Sequence, residues 1–367
     1  MVGQMADQGE KNLGKVDASG SVLSVNKPAR VDWIDYSKGL CMILVVMMHT
    51  VNNYEYAVGA EGWLRPVVDF AQPFRMPDFF LIAGFFLHRS INSDIKPYVD
   101  RKIIHFLYFY TLWMVILTAV REPGMLLGNP LEFVQSIAWA FIEPVGALWF
   151  LHMLAVFYIF VRVTRNVPTW MMVVFGVAMN TIYHSSIPET GAFVIDQFMD
   201  RFIYFYVGYA FAKHIFKIAD DLRPQTSLII GGLLVWGVVN WYFAKIGMHH
   251  VPVVAPIFGL VGAGAVCALG VLMAKYNVGN AIRYVGQNSL IVYLTFFIPM
   301  KFGEMVLTRV GEPLGSIGLA TAIILVGAVA IPLIFARLIR STPLNFLYVR
   351  PDFLKLTAQP SRTVSQT

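Results

Sequence analysis

Charged residues are scarce in this chain, and their scarcity excludes an ordinary soluble domain. Asp, Glu, Lys and Arg make up 14% of the 367 residues, against about 25% in a typical globular domain. Apolar residues reach 57%, and the mean hydropathy is +0.62. A lipid bilayer can cover this much apolar surface, whereas a single soluble core cannot. The basic residues are scattered, which also excludes a nucleic-acid-binding arm.

Cysteine is nearly absent. Cys41 and Cys267 are the two in the chain, and both lie inside apolar runs. This number and spacing match neither a disulfide framework nor a metal-binding motif. We therefore expect two packed core thiols, and we expect no metal site.

Long apolar runs are abundant, each close to the roughly 20 residues that cross a bilayer. They predict an all-α, polytopic integral membrane protein of the bacterial inner (plasma) membrane, with about ten transmembrane helices. The runs cover residues 34–52, 70–88, 103–120, 146–163, 169–184, 197–213, 227–244, 253–274, 286–306 and 316–338. No cleavable signal is visible in the polar residues 1–30. We expect a disordered cytoplasmic tail over 1–30, the membrane domain over 31–340, and a cytoplasmic C-terminal tail over 341–367.

Basic residues follow this topology when both termini are placed in the cytoplasm. Most of the 28 Lys and Arg residues then fall in inside segments, as the positive-inside rule requires. The outside loops hold Arg65, Arg121, Lys245 and Arg309. The bias therefore predicts an even number of spans with both ends inside.

Several charges lie within predicted spans, where each costs roughly 2.5–3.5 kcal/mol on insertion scales and usually faces an interior cavity. Lys38 and His49 are eleven residues apart, so a helix places both on one stripe about 16 Å apart. Arg75 and Asp78 follow in the second span. Each residue also has a plainer interpretation: Lys38 snorkels to the inner surface, His49 packs in the core, and Arg75 with Asp78 forms a structural ion pair.

Five stretches that include these residues resemble the membrane acyltransferase family 3. The family's first helix carries Arg or Lys, ten residues, then His, as Lys38 and His49 do. The resembling stretches are Arg30–Leu40 with its continuation to His49, Phe74–Phe85, Arg101–Ile104, Gly146–Leu151 and Gly286–Leu294. Ala83 stands where the family has Ser, and Ala147 and Phe296 stand where it usually has His. These departures indicate an outlying branch.

The resemblance implies transfer of an acyl group, acetyl or succinyl in class, from cytoplasmic acyl-CoA to a hydroxyl of an extracytoplasmic carbohydrate or glycan. His49 would then act as general base or transient acyl carrier. Lys38 would bind polar groups of the donor, Arg75 would hold a developing oxyanion, and Asp78 would orient Arg75. The other predicted donor-binding residues are Arg101, Lys102 and Trp149. The expected partners are acyl-CoA, the carbohydrate acceptor and membrane lipid, with no nucleic acid.

A second class of function stays open at this point. The same interior charges would suit a non-enzymatic transporter or exporter of glycans or organic anions. Consumption of a thioester separates the two classes, because a transporter moves its substrate without consuming acyl-CoA.

Overall fold

The computed structural model describes residues 31–144, 146–185, 190–310 and 316–356. Within these ranges the chain is helical and has no β-strand. The helices are α1 (Asp32–Val58), α2 (Arg65–Ala71), α3 (Arg75–Phe85), α4 (Ile95–Val99), α5 (His105–Arg121), α6 (Pro123–Gly128), α7 (Pro130–Trp139), α8 (Trp149–Val163), α9 (Thr169–Tyr183), α10 (Phe193–Ala210), α11 (Ala212–Leu222), α12 (Thr226–Lys245), α13 (Val254–Tyr276), α14 (Asn280–Gln287), α15 (Ser289–Thr295), α16 (Phe297–Val310) and α17 (Ile317–Ile339). A π-helix over Asp100–Ile104 joins α4 to α5.

Six helical segments of the described chain are long and apolar enough to cross a membrane, and a seventh span results if the bent pair α15–α16 counts as one. The six are Asp32–Val58, Ile95–Arg121, Gly146–Val163, Thr226–Lys245, Val254–Tyr276 and Ile317–Ile339. The all-helical membrane class is therefore confirmed. The count of ten, with both termini inside, stays a prediction. Of the other predicted spans, α3 has 11 residues and α9 has 15, while α10 carries three charged residues.

Glycines let the helices that carry the candidate residues approach closely, as is common for helix pairs in membranes. A Cβ added at Gly208 on α10 would lie 2.0 Å from the carbonyl oxygen of Leu81 on α3. A Cβ at Gly286 on α14 would lie 1.7 Å from the carbonyl oxygen of Asp35 on α1. Backbone contact of this kind fixes α3 against α10, and α14 against α1.

Alanine at position 208 is therefore expected to destabilise the bundle. The added methyl group meets a backbone atom that cannot rotate away, and overpacking of this kind costs roughly 1–3 kcal/mol. Thermal unfolding in detergent should show a lower melting temperature for Gly208→Ala. Gly231→Ala on α12 is the matched control, because a Cβ there meets nothing within 4 Å. Equal melting temperatures for the two variants would contradict this packing.

The segment after α17 packs back onto the bundle. Arg350 donates to Asp100 twice, from Nη2 to Oδ1 at 2.6 Å and from Nη1 to the backbone oxygen at 2.8 Å, and both residues are buried. The Trp113 indole donates to the Leu347 carbonyl at 3.0 Å. We expected a tail over 341–367; the structure instead docks this segment as far as Leu356, and residues 357–367 lie outside the described ranges. The predicted tail over 1–30 lies outside them as well.

Candidate active site

Two cavities lie along one face of α1. The first, the Lys38 cavity, has a volume of about 280 Å³, and the second, the His49 cavity, about 220 Å³. From α1 the first is lined by Lys38, Cys41 and Met42, and the second by Val45, Met48 and His49. These positions recur every three or four residues, which is the spacing of a single helical stripe. The predicted alignment of Lys38 with His49 on one continuous helix is therefore confirmed.

The Lys38 cavity brings two ammonium groups close to Phe86, one to its ring and one to its backbone carbonyl. The Lys38 Nζ lies 4.5 Å from the centroid of the Phe86 ring. The Lys102 Nζ lies 3.5 Å from the Phe86 carbonyl oxygen and 4.9 Å from the centroid of the Tyr158 ring. Lys102 belongs to the π-helix, an irregularity that is frequent at functional sites. The remaining walls are mostly apolar, so the cavity pairs a cationic end with a hydrophobic interior.

The His49 cavity combines an imidazole with two guanidinium groups. Arg75 at the start of α3 and Arg201 on α10 line it together with His49. The His49 ring packs against Phe296, with ring centroids 5.4 Å apart. Within the described chain neither ring nitrogen of His49 has a hydrogen-bond partner, so both stay available to a ligand. Trp149 forms a further wall.

Three aromatic side chains, which we call the aromatic partition, line both cavities and separate them. They are Phe79, Phe150 and Tyr293. The ring centroids of Phe79 and Phe150 are 5.1 Å apart, and those of Phe150 and Tyr293 are 5.7 Å apart. The Tyr293 hydroxyl donates a hydrogen bond to the Ala147 carbonyl, which fixes the third ring. The stripe that carries Lys38 and His49 thus faces two adjoining cavities and not one continuous space.

The predicted ion pair between Arg75 and Asp78 is wrong. Asp78 is fully buried, neither of its carboxylate oxygens has a hydrogen-bond partner, and no ion pair joins it to Arg75 in the described ranges. Arg75 instead lines the His49 cavity, while Asp78 lies inside the bundle. Spacing along α3 placed both groups on neighbouring turns, but neighbouring turns do not fix which cavity a long side chain enters. Asp78 therefore does not orient Arg75.

The predicted donor-binding residues do not all meet. Lys38 and Lys102 line the same cavity, as expected for a shared ligand. Arg101 is exposed and is not part of that lining. Trp149 lies in the other cavity, beside His49. The geometry thus supports two of the four predicted donor-binding residues as neighbours.

Arg201 is a site residue that the sequence does not single out, because residues from other helices complete its cavity. Its Nη2 donates to Asp200 Oδ2 at 2.8 Å. The other oxygen of Asp200 lies 3.1 Å from Asn180 Nδ2 and 3.2 Å from His184 Nε2. Asp200 is buried, and its ion pair with Arg201 holds the guanidinium in position. The available signal was the four-residue spacing of Phe193, Gln197 and Arg201, all of which line the His49 cavity.

All three departures from the family pattern fall at the site. Ala83 lines the Lys38 cavity, and Ala147 lines the His49 cavity. Phe296 is the ring that packs on His49. The positions where histidines were expected therefore hold apolar side chains, which leaves His49 as the imidazole in the lining of its cavity.

The described chain is a helical bundle with six helices able to cross a membrane, and it contains one cavity lined by lysines and one lined by a histidine and two arginines. The chain belongs to the acyltransferase-3 family, whose model, described as an acyltransferase domain, matches residues 31–337. The protein is therefore a membrane acyltransferase.

Two curated proteins are similar to this chain. The inner membrane protein YcfT of Escherichia coli (strain K12) is 22% identical over 306 residues, covering 75% of this chain and 81% of YcfT. The nodulation protein NolL of Mesorhizobium japonicum is 25% identical over 134 residues, covering 35% of this chain and 34% of NolL. No solved structure matches the chain. The predicted location, a multi-pass protein of the bacterial inner membrane, is confirmed.

Proposed function

We propose that this protein transfers an acetyl- or succinyl-type acyl group from cytoplasmic acyl-CoA to a hydroxyl of an extracytoplasmic carbohydrate or glycan. The observation that carries the proposal is the arrangement along α1, which places Lys38 in one cavity and His49 in the next. The two groups are eleven residues apart, or about 16 Å along the helix axis. A long thin donor such as a pantetheine thioester spans that distance, whereas a compact solute does not.

The Lys38 cavity is the proposed donor site. Ammonium groups bind phosphate oxygens through charge-assisted hydrogen bonds, and Lys38 and Lys102 supply two of them. The apolar walls suit the pantetheine chain. The predicted topology places this end of α1 toward the cytoplasm, where acyl-CoA is found. The acyl end of the donor would then point through the aromatic partition toward His49.

The His49 cavity is the proposed site of the reaction. His49 takes the proton from the acceptor hydroxyl, whose oxygen attacks the thioester carbonyl carbon. Arg75 donates hydrogen bonds to the oxyanion of the tetrahedral intermediate. When the carbon–sulfur bond breaks, the proton held by His49 passes to the sulfur, which releases coenzyme A as the free thiol and leaves the acceptor ester. Atoms and charges balance without a metal.

A transporter is the rival function, because two cavities in series also resemble a gated path. Labelled acetyl-CoA or succinyl-CoA supplied to vesicles that contain the purified protein separates the two. Acyl transfer predicts release of free coenzyme A together with label in an added carbohydrate. Flux of carbohydrate or organic anion across the vesicle without thioester consumption would support the transporter and reject the proposal.

Replacing Lys102 with glutamine is expected to weaken coenzyme A binding by about tenfold, since a hydrogen bond to a charged group contributes roughly 1.5–3 kcal/mol. A ligand that binds only the folded state raises the melting temperature, so a thermal-shift titration with coenzyme A measures the change. Lys217→Gln is the matched control, because Lys217 is exposed on α11. Equal titration curves for wild type and Lys102→Gln would place the donor elsewhere.

A further inference from the structure

The His49 cavity contains more positive charge than an acyl transfer to a neutral alcohol requires. Arg75 and Arg201 reach it from two different helices, α3 and α10. Asp200 neutralises Arg201. In the described chain no carboxylate lies within ion-pair distance of Arg75. Among the described residues the Arg75 guanidinium therefore has no ion-pair partner in the cavity wall.

Both arginines also keep hydrogen-bond donors without acceptors. Arg75 Nε and Nη1 and Arg201 Nε are buried, and none has a partner in the described ranges. A buried donor without a partner is costly, and more so when the group is charged. A tetrahedral oxyanion exists only during the reaction, so it cannot offset this cost in the resting complex. A ligand that carries a permanent negative charge can offset it whenever it is bound.

The shape of the two side chains narrows the ligand further. A guanidinium is planar and presents its N–H groups in a fork that matches the oxygens of a carboxylate or a phosphate. The cavity measures about 220 Å³, below the roughly 300–1,000 Å³ of drug-sized pockets. It therefore suits one small anionic unit better than an oligosaccharide. The apolar residues Ala147 and Phe296 offer no hydrogen bonds through their side chains to the rest of that unit.

We infer that one of the two substrates carries a carboxylate or phosphate group that Arg75 and Arg201 bind together beside His49. Two sources would supply the same chemistry: an anionic sugar as acceptor, or a dicarboxylic acyl group from the donor. Arg201 is thus a specificity-determining residue, held in place by Asp200. The inference rests on the proposed acyl transfer. The charge of the ligand can nevertheless be tested by binding alone, without the reaction.

Ligand binding to the purified full-length protein tests the charge directly. Glucuronate, succinate and glucose are titrated by thermal shift at matched ionic strength. The inference predicts that glucuronate or succinate stabilises the protein at concentrations at which glucose does not. Arg201→Lys keeps the charge and the pair with Asp200 but loses the planar fork, so it should weaken that binding by about tenfold. Arg75→Lys should do the same.

Two controls test whether the lysine variants lose anion binding only because the protein structure is disturbed. Arg309→Lys changes an exposed arginine outside the cavity and should leave glucuronate and succinate binding unchanged. Coenzyme A should stabilise Arg201→Lys as well as it stabilises wild type, because the donor site is the Lys38 cavity. If neither anion stabilises wild type more than glucose does, or if the lysine variants bind the anions as tightly as wild type, the inference is overturned.

Transfer assays then assign the source of the anion. Acetyl-CoA and succinyl-CoA are each tested with glucose and with glucuronate as acceptor. A preference for glucuronate with both donors assigns the anion to the acceptor, and a preference for succinyl-CoA with glucose assigns it to the acyl group. Equal rates in all four combinations would overturn the inference and leave acyl transfer intact. Arginine-dependent anion binding without any thioester turnover would support the inference and reject acyl transfer.

Discussion

His49→Ala is expected to reduce acyl transfer by about 10²–10⁴-fold, the range that general acid–base catalysis contributes. His49 is the imidazole in the lining of its cavity, and Ala147 and Phe296 provide no second one nearby. The measurement is the release of labelled ester product from labelled acyl-CoA under single-turnover conditions. Coenzyme A binding should stay unchanged, because the donor contacts Lys38 and Lys102 on the other side of the aromatic partition.

His214→Ala provides the matched control for this variant. His214 is exposed on α11, outside both cavities. Transfer by His214→Ala should equal transfer by wild type. Wild-type turnover by His49→Ala, with a normal response to coenzyme A, would reject His49 as the base and leave the cavities without a catalyst.

Phe79→Ala is expected to raise hydrolysis of acyl-CoA severalfold in the absence of acceptor. Phe79 belongs to the aromatic partition, and loss of its ring joins cavities of about 280 and 220 Å³. Water in the joined space then competes with the acceptor hydroxyl for the thioester. The release of free thiol, measured with and without an added carbohydrate acceptor, shows how much acyl-CoA is hydrolysed by water and not used for transfer to the acceptor.

The double variant Phe79→Ala with His49→Ala identifies what activates the water. If His49 is the base, the extra hydrolysis disappears in the double variant. Phe302→Ala is the control, since Phe302 is an exposed aromatic residue outside both cavities. A hydrolysis rate for Phe79→Ala equal to that of wild type would show that the three rings do not separate water from the donor.

The leading helix could be predicted well from the sequence alone. A single unbroken apolar run of about 20 residues indicates a membrane helix, and the helical period then determines which residues share a face. Lys38 and His49 lie eleven residues apart on the continuous helix α1, so their alignment follows from local geometry. The family resemblance rested on the same helix, and the family model matches from residue 31 onward.

Contacts between helices could not be predicted in this way. Phe79, Phe150 and Tyr293 come from α3, α8 and α15, so their meeting depends on how three separate helices pack together. The spacing of residues within one helix does not indicate that rings from three helices will meet and separate two cavities. Arg201 was missed for the same reason, because its cavity is completed by residues far away in the sequence.

The pairing of Arg75 with Asp78 failed because a spacing of three residues permits an ion pair on a helix but does not ensure one. Both residues lie on α3, yet the guanidinium lines a cavity and the carboxylate is buried in the bundle. The number of spans stays open for a physical reason as well. Helices α3 and α10 pack against each other and carry charges toward an internal cavity, so hydropathy alone does not reveal whether they cross the bilayer.

The most direct test of the central claim is the structure of the protein in complex with a non-hydrolysable acyl-CoA analogue. We expect density for the phosphates of the analogue beside Lys38 and Lys102. The pantetheine chain should pass between the rings of the aromatic partition, with the acyl carbonyl beside His49. Density for the analogue outside both cavities, or an acyl group that ends on the Lys38 side of a closed partition, would contradict transfer along α1.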